Sequence, residues 1–106
     1  GAYYLKYLEN KFNKFDLDTL EQIKFTLAAY NAGLGHVLDA IRLAESYGKN
    51  PKDWDNNVDY FMLHKSQPEI YRDSVVRFGY CDGKQTFNFV NNIMENYTHY
   101  KNTIKK

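Results

Sequence analysis

Tyr30 and Asn31 stand side by side in TLAAYNAGLGHVLDA, residues 26–40, and are the residue types best suited to recognition chemistry in this chain. A tyrosine offers an apolar ring with a polar tip, and an asparagine amide pairs a donor with an acceptor. Such a pair suits an uncharged ligand rich in hydroxyl and N-acetyl groups, with Ala28, Ala29, Ala32 and Gly33 keeping a groove open around it. The same small residues also permit close helix packing, with Tyr30 filling a gap and Asn31 helping to close the helix. Local sequence leaves both roles open.

Other chemistries find fewer of their parts. His36, His64 and His99 lie far apart, and none is spaced to converge with further ligands on a metal. Cys81 is solitary, so neither a disulfide framework nor a thiolate cage is expected. No metal and no cofactor are expected. Glycosidic chemistry wants a carboxylic acid in an apolar pocket, often with a second carboxylate opposite. Glu45, in Glu45-Ser46, falls on the polar side of its helix, within reach of Arg42 at i−3. Asp59 has an aromatic setting, VDYFM, and nothing else marks it as an acid catalyst. No catalytic residue emerges from spacing.

Residues 25–44 place Ala29 and Gly33 where a helix-turn-helix needs a small residue and a turn. Asp39 and Arg42 then occupy positions that should face inward and be apolar, and Arg42 is the one firm cation of the second helix. With a net charge of +1 as well, no nucleic-acid partner is expected.

The elements that must carry these residues are helices. The chain has 106 residues, enough for one domain over 1–106, and its 43% hydrophobic and 25% charged residues suit a globular fold. Ten Tyr, seven Phe and one Trp are an unusual number of aromatics; composition alone favours a core built with them, although tyrosines can also line a cleft both apolar and wet. No apolar run is long enough to span a bilayer, and the first residues do not form a signal peptide. Gly1 in place of Met suggests a processed or excised piece.

A first helix is expected over 2–12 with Tyr4, Leu5, Leu8 and Phe12 on one face. Asp18 and Glu21 form a capping-box pattern ahead of a second helix that turns Leu20, Ile23, Leu27 and Tyr30 inward and ends at Gly33. A third runs from near Gly35 to Gly48, burying Val37, Leu38, Ile41 and Ala44. Asn50 and Pro51 read as a cap and first residue of a new start, followed by a short helix in NNVDYFMLHK. Residues 66–83 should hold turns and a helical piece. The last helix aligns Phe87, Val90, Met94 and Tyr97, flanked by Phe89, Ile93 and Tyr100. The fold expected is all-α.

LAAYNAGLGHV resembles the third signature of the family 1 lytic transglycosylases, which carry a goose-lysozyme-like helical domain. GAYYLKYLENKF resembles the helix preceding that signature, and GKQTFNFVNNIMENYTHY resembles the last signature, a Glu-Thr pair followed by Tyr-Val and spaced tyrosines. The stretches LAESYGKNPKDWDNNVDYF and VVRFGYC extend the likeness over the whole chain, in order, toward the membrane-bound F type of Bacteroides-like bacteria. The resemblance implies a lyase that cuts the bond between N-acetylmuramic acid and N-acetylglucosamine without water, leaving a 1,6-anhydro sugar. One glutamate serves that family as acid and then base, in a Glu-Ser motif ahead of a Gly-Leu-Met-Gln-type motif. Neither precedes the first helix here, and Glu45-Ser46 stands on the wrong side of the third signature.

The chain thus resembles the C-terminal portion of such a domain, without its acid and inactive alone. By resemblance Tyr30, Asn31, Ala32 and Gly33 contact sugar, Phe89 stands where the final signature has its tyrosine, and Gln85 where it has its glutamate. Peptidoglycan strands are the implied partner, and the periplasm or outer membrane the implied location. Lacking the covering first half, the exposed apolar face is expected to drive self-association, giving a dimer or a loosened monomer. The alternative is a naturally short, non-catalytic helical module that binds cell-wall glycan or docks on a protein.

Overall fold

Leu8 and Phe12 are one helical turn apart, and both are fully buried along the first helix in a computed structural model of the chain. The structure describes residues 2–104, with side chains for 3–98. His99 and Tyr100, counted above for their side chains, therefore lie outside the described side chains. The helices are α1 (Ala2–Asn13), α2 (Thr19–Ala32), α3 (Leu34–Ser46), α4 (Asp59–Leu63), α5 (Pro68–Tyr71) and α6 (Gly83–Ile104). No strand occurs among the described residues, and the fold is all-α.

α2 is the hub, packing against α1, α3 and α6, while α4 bridges α3 and α6. Its buried side is Phe25, Thr26, Ala28 and Ala29 rather than the expected face of Leu20, Ile23, Leu27 and Tyr30. Leu20 and Tyr30 are exposed. Three neighbours share the alanine-rich side, and the small residues let the helices approach; the larger apolar residues are displaced to the rim. Phe25 then links Phe12 of α1 to Trp54, with ring centroids 5.7 and 5.6 Å apart.

The capping box is not formed. Asp18 stands at the N-cap of α2 without a side-chain cap bond. Glu21 instead reaches across the fold: its Oε1 accepts the Trp54 backbone N–H at 2.7 Å and its Oε2 meets Lys24 Nζ at 3.1 Å. Long-range anchoring of Trp54, a fully buried residue, outcompetes the local bond. Asn50 and Pro51 start no helix either. Asn50 Oδ1 accepts the Lys52 N–H at 3.0 Å in a local turn, and a wide turn over Trp54–Val58 precedes α4.

In α3 the buried positions are Val37, Asp39, Ala40, Leu43 and Ala44, with Leu38 and Ile41 half-buried. In α6 Thr86 and Val90 are buried, whereas Ile93 and Tyr97 are exposed because the later turns run past the core. Gly83 starts α6 against α4 so closely that an added Cβ would lie 1.7 Å from the Met62 carbonyl oxygen.

Candidate functional site

The Tyr30–Asn31 pair is positioned by a sharp corner. Gly33, at φ 109°, is the single residue between α2 and α3, and a side chain there would be strained by conformation rather than by lack of space. Its N–H donates to the Ala29 carbonyl at 2.8 Å, closing α2. The corner leaves Tyr30 42% exposed and Asn31 exposed at the helix end, with Ala32 and Gly33 half-buried beneath.

Two further elements complete this face. From α1, Tyr4 stacks on Tyr7 at 6.2 Å and leans on Tyr30 at 6.1 Å, so three exposed rings form one strip. From α6, the Thr86 hydroxyl donates to Asn31 Oδ1 at 2.7 Å. That bond joins the stretch AAYNAG to the stretch GKQTFNFV. Phe89, one turn beyond Thr86, is half-buried and packs against the core, and Gln85 beside Thr86 is exposed. Thr86 was overlooked as a sequence candidate; its signal was its place beside Gln85 in the last signature.

Between α1 and α2 lies a groove of about 440 Å³ lined by Leu5, Ile23, Leu27 and Thr26, with Glu9 and Gln22 at its edge. The Thr26 hydroxyl is buried and has no hydrogen-bond partner among the described residues. This groove was invisible in the sequence, where Ile23 and Leu27 count as core.

A second polar centre lies on α3. Asp39 and Lys65 are both 0% exposed, with Nζ 2.7 Å from Oδ2. The carboxylate also accepts Arg42 and the backbone N–H groups of Arg77 and Phe78, each of the latter at 2.8 Å. Arg42 Nε donates to the Val75 carbonyl at 3.1 Å, so residues 75–78 are strapped to α3. Asp39 therefore points inward as its position demands, and the charge is neutralised there. Arg42 is committed to Asp39 and not to Glu45, which is exposed. Burial alone would raise the Asp39 carboxyl, but Lys65, the two backbone donors and Arg42 together hold it below its ordinary value. Lys65 Nζ also donates to His36 Nδ1 at 2.6 Å, which requires a neutral imidazole. Burial, then the Lys65 charge, lowers the His36 pKa, with Asp39 opposing.

Asp59, the first residue of α4, is the perturbed acid. Burial, with Asp55 adding repulsion, pushes its carboxyl up to about 6 against backbone bonds from Asn56 and Tyr60. Among the described residues no hydrogen bond or ion pair links Asp59 or Glu45 to Tyr30 or Asn31, and no cluster of three or more His, Cys, Asp or Glu is arranged for a metal.

Residues 1–52 match the family described as "Transglycosylase SLT domain". The chain is similar to proteins named membrane-bound lytic murein transglycosylase F. That of Aeromonas salmonicida is 38% identical over 97 residues, covering 92% of this chain and 19% of the relative. That of Shewanella frigidimarina is 36% identical over 97 residues, 92% of this chain and 20% of the relative. That of Yersinia pestis is 40% identical over 94 residues, 88% of this chain and 18% of the relative. The chain spans about a fifth of the length of these curated relatives. Residues 1–52, the part similar to that family, carry α1, α2, α3 and the Tyr30–Asn31 corner.

Proposed function

We propose that the chain supplies the glycan-binding wall of a peptidoglycan-cleaving lytic transglycosylase, as the second half of its catalytic domain. The observation that carries this reading is the joining of its two signature stretches by the Asn31–Thr86 hydrogen bond, with the exposed Tyr30 ring beside it. Sugar rings stack their apolar faces on aromatics, and an amide with a free end hydrogen-bonds hydroxyl and acetamido groups. Tyr30, Asn31, Ala32 and Gly33 form the contact surface. Phe89, half-buried and without a phenol hydroxyl, supports that surface by packing.

Cleavage of the muramic acid–glucosamine bond to a 1,6-anhydro product needs a proton donor that protonates the leaving oxygen and then takes the proton of the attacking hydroxyl. Neither Glu45 nor Asp59 joins the Tyr30–Asn31 face by a recorded contact, so the acid belongs to the other half of the domain. The groove between α1 and α2, with its orphaned Thr26 hydroxyl, is where that half would bring apolar cover and a hydrogen-bond partner. Alone, the exposed strip of Tyr4, Tyr7 and Tyr30 favours self-association to a dimer. The relatives' name places them at a membrane, and a periplasmic or outer-membrane site of action is proposed by that likeness. No described helix is long and apolar enough to cross a membrane. The Bacteroides-like affinity rests on the sequence resemblance; the relatives named above come from Aeromonas, Shewanella and Yersinia.

The test is a two-dimensional NMR titration of the chain with a short muramic acid–glucosamine glycan. Shifts clustered on Tyr30, Asn31 and the surroundings of Phe89 are expected. A well-dispersed spectrum unmoved at millimolar glycan would assign these residues to packing.

A further inference from the structure

Asn31 carries a donor and an acceptor on one side chain, and only the acceptor is committed within the chain. Its Oδ1 takes the Thr86 hydroxyl at 2.7 Å, while Nδ2 has no partner among the described residues on an exposed side chain. Thr86 is 2% exposed, so little water competes for that hydroxyl. Its helix is seated on α4 by the close fit of Gly83 against the Met62 carbonyl, which leaves the donor little freedom to withdraw.

We propose that Thr86 is a positioning residue: by holding Asn31 Oδ1 toward α6 it leaves the Nδ2 donor as the outward end of the amide, and so favours acetamido carbonyls over amines in the glycan. The inference rests on the glycan reading above and adds a selectivity to it. The outward Nδ2–H group forms a hydrogen bond with an acetamido oxygen. Beside a glucosamine ammonium it faces donor with donor, and the contact is lost. Without the Thr86 hydroxyl, the carboxamide torsion is broad and close to two-fold, so both of its ends are offered.

The experiment titrates an N-acetylglucosamine tetramer and a glucosamine tetramer into the 106-residue chain and into Thr86→Val, Thr86→Ser and Asn31→Asp, followed by NMR. The unaltered chain should favour the acetylated tetramer by roughly tenfold, the scale of one hydrogen bond. Thr86→Val should reduce that preference to about twofold or less, Thr86→Ser should restore it, and Asn31→Asp, an acceptor-only isostere, should reverse it. An independent readout uses the unliganded chain, where the Asn31 Nδ2 protons should exchange with water as fast as a free amide. Protected Nδ2 protons would mean the amide is turned the other way and would overturn the inference, whether or not Thr86→Val folds. Retained preference in a folded Thr86→Val would overturn it while leaving glycan binding intact. Binding of neither tetramer would remove the glycan reading and the selectivity together.

Discussion

Asp39 on α3 and Asp59 at the start of α4 are both buried carboxylates on helices that pack together, yet their pKa values move in opposite directions. Asp39 has a buried ammonium, a guanidinium and two backbone donors; Asp59 has two backbone donors and two further carboxylates, Asp55 and Asp53, nearby. Burial raises both, and partners decide the outcome. A buried acid is thus not in itself a catalytic candidate. Asp39 is a structural rivet holding residues 75–78 on α3, and Asp59 bears a cost that its backbone donors only partly offset, with no hydrogen bond to Tyr30 or Asn31 among the described residues.

The largest expected effect comes from breaking the compensated centre. Lys65→Met should destabilise the fold by about 3–5 kcal/mol in chemical denaturation, because Asp39 would lose its buried counter-charge. Asp39→Asn in that background should recover part of the loss. No recovery would show that the ammonium acts through packing or through His36 instead.

Next is Asp59→Asn, expected to stabilise by about 1–3 kcal/mol at pH 7. The carboxyl is raised from 3.8 to about 6 in the folded chain, so its contribution to stability is present below 3.8 and lost as pH rises through about 6. The gain should therefore vanish near pH 3.5; a gain independent of pH would mean that charge is not its source.

The smallest effect is that of His36. Its folded pKa is lowered, so the stability it contributes is present above its ordinary value of 6.5 and is lost as pH falls through the folded value. His36→Gln keeps an acceptor for Lys65 and should lessen the acid destabilisation below pH 6.5, measured against pH 7.5. Because Asp59 gains as His36 loses, each single variant should expose a pH slope that the unaltered chain partly conceals.

Much of the frame was legible along the chain. The i, i+4 pair Leu8 and Phe12, the helix-ending Gly33 and the run through Val90 are local signals, and the structure retains them. The Tyr30–Asn31 pair was legible as chemistry, though only as two residues on one helix end. Glu21 shows the limit: its spacing from Asp18 is that of a capping box, but the bond it makes is to Trp54 in another segment. Asp39 shows it again, since its neighbours in sequence include Arg42 while Lys65, Arg77 and Phe78 arrive from elsewhere.

Sequence by itself determined that this chain forms helices, where glycine turns them, and which side chains carry paired polar and aromatic groups, because periodicity, backbone freedom and functional groups are properties of short segments. Tertiary structure decided which face of α2 is buried, that Asp39 is neutralised rather than misplaced, and that Asn31 is held by Thr86. Those outcomes depend on which groups from distant segments arrive within hydrogen-bond distance once water is excluded, and such arrivals have no period to be read along the chain.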